Sequence, residues 1–206
     1  MKKVEAVRIW RENSKRGNTL ALAKTPTLFA EIRQPIENYL AVPTVSSEKR
    51  KYIPMAFLSK DVIASNQIYT ISGADLYDFA ILTSNVHMAW MRTVAGRLKS
   101  DYRYSAKIVY NNFPWPTVTE EQKEFIANTA QGILDARALY PDSSLADLYD
   151  ELTMPVELRK AHQANDIAVM KAYGMIKKVD GKDTFLTESE TVARLFEMYQ
   201  ELTKKK

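Results

Sequence analysis

The spacing of apolar residues changes at Ser72-Gly73, and this change restricts the fold more than any other feature of the chain. Before it, short runs of β-forming residues alternate with prolines and polar turns. Leu28-Phe-Ala-Glu-Ile-Arg33, bounded by Pro26 and Pro35, reads as a strand. Residues 39–42 and 52–58 read as two more, and Val62-Ile-Ala64 and Gln67-Ile-Tyr-Thr-Ile71 as a pair around Ser65-Asn66. Pro43 and Pro54 favour strand ends or edges, because proline cannot donate to a sheet ladder. Ser46-Ser-Glu-Lys-Arg-Lys51 reads as a polar loop, and residues 1–20 as a short basic helix followed by a turn at Gly17-Asn18.

After the change, residues 74–95 contain neither proline nor glycine. Leu76, Phe79, Ala80, Leu82, Val86, Trp90 and Val94 recur at helical spacing, which predicts one helix ending near Gly96. Helices are expected again from Thr119, an N-cap followed by Glu120 and Glu121. Pro141-Asp-Ser-Ser144 ends that helix, and residues 145–149 form a short turn of the next. Pro155 starts a helix reaching Tyr173-Gly174, with Thr153 or Met154 near its cap. A polar connection at Asp180-Gly-Lys-Asp183 leads to a final helix over 188–202. The fold class is therefore α+β: a small mixed or antiparallel β-containing domain over 1–116, then a helical domain over 117–206.

Charge follows the same division. Residues 1–116 carry 17 Lys/Arg against 9 Asp/Glu, a net of +8, and residues 117–206 carry 12 against 16, a net of −4. The amino half is the candidate polyanion-binding face, the other half a scaffold or partner-facing body. Arg97-Leu-Lys-Ser-Asp-Tyr-Arg-Tyr-Ser-Ala-Lys107 interleaves basic and aromatic groups and leads into Tyr110-Asn-Asn-Phe-Pro-Trp-Pro116. Such side chains can hold phosphates, stack on bases or reach base edges, and an acidic residue such as Asp101 can accept from cytosine N4. The candidate contacts are Arg92, Arg97, Lys99, Asp101, Tyr102, Arg103, Tyr104 and Lys107, with Ser47, Glu48, Lys49 and Arg50 as a further loop. Arg8, Arg11, Lys15 and Arg16 are additional phosphate candidates. In the structural alternative, Arg97, Asp101 and Arg103 form local ion pairs and the tyrosines fill the core. Within Ile108-Val-Tyr110 a strand is expected.

Catalytic patterns are missing. With no cysteine, thiolate metal sites and cysteine nucleophiles are excluded. His87 and His162 lie in separate helices outside any metal-ligand spacing and read as structural hydrogen-bonding residues. Asp75 and Asp78, like Asp147 and Asp150, share a helical face and read as solvated or helix-end carboxylates. The six glycines form no phosphate loop, and there is no serine nucleophile elbow. No apolar run approaches the roughly 20 residues that span a bilayer, and no signal peptide is evident. A cytoplasmic location without membrane partners is the expectation.

Several phrases carry a family resemblance. They are Val45-Ser-Ser-Glu-Lys-Arg50, Leu82-Thr-Ser-Asn-Val-His-Met-Ala-Trp90, Arg92-Thr-Val-Ala-Gly-Arg-Leu98, Tyr102-Arg-Tyr-Ser105 and Tyr110-Asn-Asn-Phe-Pro-Trp-Pro116. Leu145-Ala-Asp-Leu-Tyr-Asp150 and Leu152-Thr-Met-Pro-Val-Glu-Leu-Arg-Lys-Ala-His162 continue the series. In this order the chain resembles the carboxy-terminal region of MmeI-like type II (IIG/IIL) restriction–modification enzymes, which join an endonuclease, an adenine DNA methyltransferase and a target-recognition domain. The resemblance implies that residues 1–116 recognise duplex DNA, with Arg97, Lys99, Asp101 and Arg103 as base-reading or groove-lining residues. It implies S-adenosylmethionine and Mg2+ for the parent enzyme, and its methyltransferase and endonuclease domains as partners. No Asn-Pro-Pro-Tyr loop, glycine-rich cofactor loop or nuclease Asp…Glu-x-Lys core is present. The expectation is therefore an excised portion or split gene product without activity or cofactor of its own. The alternative is a structural module that packs on the methyltransferase domain and has little DNA affinity.

Overall fold

The computed structural model describes residues 1–204, and the chain divides into two compact units, Met1–Gln34 and Pro35–Lys206. The first unit has almost no core: Ala23 is its one buried hydrophobic residue. Helix α1 (Lys2–Glu12), the short α2 (Gly17–Ala21) and a 3-10 turn (Leu22–Lys24) are instead clasped by Arg11. Its guanidinium donates to the carbonyls of Leu22, Thr25 and Leu28 at 3.0, 2.8 and 2.9 Å. A planar fork with five donors can hold several carbonyls at once. The strand expected at 28–33 does not form; this stretch is irregular, and a strand with no partner strand leaves its backbone unpaired.

In the second unit, β1 (Tyr39–Pro43) lies between β3 (Ala56–Leu58) and β4 (Ile68–Ser72) in an antiparallel sheet. Its register sets Leu40 opposite Phe57 and Ile71. Residues 52–58 form strand only after Pro54; Tyr52 and Ile53 are buried but irregular. Val62-Ile-Ala64 forms no strand, only a bend at Val62 and then irregular chain, anchored where the Tyr39 hydroxyl donates to the Val62 carbonyl at 2.6 Å. A second antiparallel sheet has the order β2 (Val45–Ser46), β6 (Asp101–Arg103), β5 (Gly96–Leu98). A third is the hairpin β7 (Ile176–Val179) and β8 (Lys182–Phe185), turning through Asp180 and Gly181 with φ of 50° and 76°. Positive φ at both turn residues matches the twist of a two-residue hairpin.

The helix expected over 74–95 is two helices, α3 (Leu76–Thr83) and α4 (Asn85–Val94). Ser84 separates them: its hydroxyl donates back to Ile81 at 2.7 Å, and its oxygen accepts from the His87 N–H at 3.4 Å. That is a new N-cap inside an unbroken apolar period. Thr119 caps α5 (Glu120–Ala138), as expected, and the structure adds a reciprocal bond with Gln122. Helices α6 (Leu145–Leu148), α7 (Val156–Ala172) and α8 (Glu188–Lys204) complete the chain, with Pro155 as the N-cap of α7.

One hydrophobic core runs from Leu40 through Phe79, Trp90, Phe113, Ile126, Ile133, Leu158 and Val169 to Leu195. It passes through residue 116 without a break, because α5 packs on both α3 and α7. Ile108-Val-Tyr110 lies in a π-helical turn (Ala106–Tyr110) rather than a strand. Asn112 donates to the Lys107 and Ile108 carbonyls, and Trp90 Nε1 donates to the Val109 carbonyl at 3.0 Å. The Phe113-Pro-Trp-Pro116 stop is core material: Phe113 meets His87 edge-on, and Tyr173 donates to the Pro114 carbonyl at 2.9 Å.

Candidate nucleic-acid interface

Hairpin β5–β6 reverses direction through Lys99 and Ser100. Lys99 adopts φ 57°, a left-handed conformation unusual for a side chain of this size. The pairing sets Arg97 opposite Tyr102, Leu98 opposite Asp101, and both Gly96 and Val45 opposite Arg103. Side chains alternate across a sheet, so Asp101 and Arg103 share one face while Arg97 and Tyr102 share the other. The Arg97 guanidinium lies 3.8 Å from the centre of the Tyr102 ring and donates to the Ser100 carbonyl at 2.8 Å.

The second candidate segment lies against this hairpin. Ser46 pairs with Tyr102, and the chain then turns through Ser47 to Arg50, with the Arg50 N–H on the Ser47 carbonyl at 3.1 Å. Ser47 Oγ accepts from the Lys49 N–H at 3.3 Å. Glu48 joins both segments: its N–H donates to Asp101 Oδ1 at 3.4 Å, and its carboxylate lies 3.9 Å from Arg97. Both contacts are long and solvent-exposed, so they orient the loop more than they stabilise it.

The twelve candidates then separate by environment. Lys49, Lys99, Arg103 and Lys107 are exposed, and no ion pair involves them among the described residues. Glu48, Arg97 and Asp101 form the surface network, with half-buried Ser47 beside it. Tyr102 and Tyr104 are buried, the latter with its hydroxyl 3.0 Å from His87 Nε2, so neither ring offers a stacking face to a base. Arg50 turns inward: its Nε is buried and its Nη2 reaches the Ala146 carbonyl at 3.5 Å. Arg92 grips Glu188 with two hydrogen bonds of 2.8 and 3.0 Å and the Lys51 carbonyl at 3.3 Å. Its guanidinium is used inside the protein, holding α8 against α4. In the first unit, Arg11 is spent on its clasp and Arg8 lies 3.4 Å from Glu5, while Lys15 and Arg16 are exposed.

Beneath the loop lies a buried polar cluster to which the sequence gives no pointer. The Tyr52 ring stacks on His162 with centroids 4.1 Å apart, and its hydroxyl donates to Asp166 Oδ2 at 2.7 Å. Asp166 Oδ1 accepts the N–H of Asn85 at 2.7 Å, capping α4 from outside that helix. Burial raises the Asp166 carboxyl to about 6, against the lowering effect of its two hydrogen bonds and of Lys51 and Arg92. Burial and the neighbouring Asp166 together keep the Tyr52 hydroxyl protonated. His162, 2.7 Å from the Tyr149 hydroxyl, is held neutral by burial, and burial pushes His87 down to about 3. Arg137 bonds the same Tyr149 hydroxyl and the Met55 carbonyl. Both histidines are thus structural hydrogen-bonding groups.

Three of the four paired carboxylates are helix caps: Asp75 with Asp78 forms a capping box, and Asp147 caps reciprocally with Ser144, while Asp150 accepts the Leu152 N–H at 3.0 Å in a turn. The described residues contain no group of three side chains able to hold a metal ion, and no helix among them is long and apolar enough to cross a membrane. The six glycines are separated in sequence and form no glycine-rich loop.

Comparison with known proteins converges on one family. Residues 1–117 match the model of the MmeI target recognition domain, and residues 118–205 that of the MmeI C-terminal domain. DNA methyltransferase A of Bacillus subtilis (strain 168) is 41% identical over 195 residues, which cover 95% of this chain and 21% of that protein. The structure of the type IIL restriction–modification enzyme MmeI in complex with DNA superposes with a TM-score of 0.88 at 45% identity. That match covers 98% of this chain and 26% of the other. The chain therefore spans about a fifth to a quarter of the length of these relatives. It belongs to the MmeI family and consists of that family's target recognition and C-terminal domains.

Proposed function

We propose that this chain is the sequence-reading module of an adenine-methylating restriction–modification enzyme, and that hairpin β5–β6 and the 46–50 loop form one head that enters the major groove. The observation that carries this reading is their juxtaposition: Glu48 bridges two segments far apart in sequence, and Lys49, Lys99 and Arg103 stand free around it. Lys99, Asp101 and Arg103 are the base-reading or groove-lining groups. Lys49 and Lys107 are phosphate contacts, and Arg97 stiffens the hairpin from its opposite face. Catalysis belongs to portions of the parent enzyme outside this chain, where the target adenine is flipped out and methylated at N6, and where the endonuclease acts.

The test is enrichment from a pool of duplexes carrying a randomised segment, using the full 206-residue chain. One short sequence should be enriched, and the Lys99→Ala/Arg103→Ala variant should lose that enrichment while remaining folded. A folded wild-type chain that enriches nothing would sink the proposal. The first unit favours a second reading, an interaction module docked on the methyltransferase portion. It leaves Trp10, Phe29 and Ile32 about 70% exposed, more apolar surface than a 34-residue unit can bury alone. That reading predicts co-purification with the methyltransferase portion and no duplex binding even at low salt.

A further inference from the structure

The C-terminal helices do more than close the core, because one carboxylate on α7 reaches the roots of both arms of the head. Asp166 Oδ2 holds the Tyr52 hydroxyl, two residues beyond the 46–50 loop. Asp166 Oδ1 holds the first N–H of α4, the helix that runs through Ala95 directly into β5 and the hairpin. Between Asp166 and the loop there is little slack. Tyr52 is 2% exposed, its ring is stacked on His162, the Lys51 carbonyl is held by Arg92, and Arg50 leans on Ala146. Behind His162 the chain of contacts continues through Tyr149 and Arg137 to the Met55 carbonyl. By contrast, the loop's own structure is one backbone turn and a two-residue ladder with β6.

A buried carboxylate loses its hydration, and an apolar pair of similar volume would cost the fold less. What the carboxylate provides is a second tie between the two arms, at residues 52 and 85, in addition to the β2–β6 ladder and the Glu48 contacts that already join them. We infer that Asp166 and Tyr52 are positioning residues for DNA reading: they set the 46–50 loop and the β5–β6 hairpin at one spacing, so that both meet the same stretch of groove. This role rests on the DNA-reading proposal, but the mechanical coupling on which it depends can be measured without DNA.

Two substitutions in the full chain separate the arms. Tyr52→Phe keeps the stack on His162 and removes the hydroxyl that Asp166 holds. Amide hydrogen exchange should accelerate about tenfold over residues 46–51, with α4 and α7 unchanged. Asp166→Ala releases both arms, so exchange should accelerate over 46–51 and also over residues 85–98. With the randomised duplex pool, Tyr52→Phe should lower the enrichment of the preferred sequence about tenfold. The salt dependence of its binding to a single fixed duplex should stay that of the wild type, because the phosphate contacts are unchanged. Uniform acceleration across the whole chain, or wild-type exchange and enrichment in Tyr52→Phe, would overturn the inference. If the wild type enriches no sequence, the reading proposal fails and the positioning role falls with it; the exchange pattern then reports whether the mechanical link itself exists. Should Asp166→Ala not fold, Tyr52→Phe still decides.

Discussion

The hairpin and 46–50 loop, proposed as the reading head, and the cluster beneath them are built on opposite principles. In the head, the side-chain contacts that join its two segments are long, exposed and few, a 3.9 Å ion pair and a 3.4 Å hydrogen bond, and the turn holds a left-handed lysine. In the cluster, Tyr52, Asp166, His162 and Tyr149 are buried, and their hydrogen bonds measure 2.7 Å. The difference teaches where change is cheap. Exposed side chains on the hairpin, unlike Tyr102, can be exchanged with little cost in stability, because they bury little and satisfy few partners. Beneath them, one lost partner strands a desolvated polar group.

Four measurements would break or sharpen that contrast. The largest effect belongs to Trp90, 2% exposed, packed on Phe196 and bonded to the Val109 carbonyl. Trp90→Ala should lose about 3–5 kcal/mol in urea unfolding; a loss below about 1 kcal/mol would mean the core is not closed around it.

Next comes the pH dependence of Asp166, read as the stability of the wild type minus that of Asp166→Asn. The folded carboxyl sits near 6, above its ordinary 3.8, so the protonated form is the one folding favours. The wild type's relative stability should be greatest below pH 4 and fall by about 3 kcal/mol as pH rises to about 6, then level off. Lys51, Arg92 and Tyr52 face this group and limit the rise. A flat difference curve would remove the buried carboxyl from the description. His87 and His162 work in the opposite direction: both are held neutral, so their contribution is present above about 6.5 and lost on acidification.

The third measurement inverts the pattern. Lys99→Ala/Arg103→Ala should change unfolding free energy by less than about 0.5 kcal/mol per site. Duplex affinity at low salt should fall at least about tenfold. A large stability loss with unchanged binding would mean that this hairpin is scaffold. The smallest effect is expected for Glu48→Gln, which frees Arg97 from an exposed pair; stability should move by less than about 0.5 kcal/mol. Low-salt binding should tighten slightly, whereas markedly weaker binding would show that the Glu48 charge itself is needed.

Local chemistry made part of this legible in the sequence. Thr119, followed by Glu120 and Glu121, announced the start of α5. What stayed hidden was mostly tertiary. The hairpin turn Lys99-Ser100 carries none of the glycine or asparagine that usually mark a two-residue turn, so the strand was expected at Ile108-Val-Tyr110, seven residues beyond the start of β6 at Asp101. Ser84 interrupts a helix without interrupting its apolar period. Tyr102 and Tyr104 alternate with cations as a stacking surface would, yet both are buried: Tyr104 bonds His87, and the Arg97 guanidinium lies over the Tyr102 ring. Tyr52 and Asp166 lie 114 residues apart in sequence, and no local pattern connects them.

The most direct measurement is fluorescence anisotropy of the full chain with short DNA duplexes across a salt series, for the wild type and for Lys99→Ala/Arg103→Ala. If the head engages the groove, the logarithm of affinity should fall linearly with that of salt. The slope should be about 0.9 per neutralised phosphate, and the variant should bind more weakly at every salt concentration. A folded wild-type chain that does not bind at low salt, or a variant that matches it throughout, would contradict a reading head built from hairpin β5–β6 and the 46–50 loop.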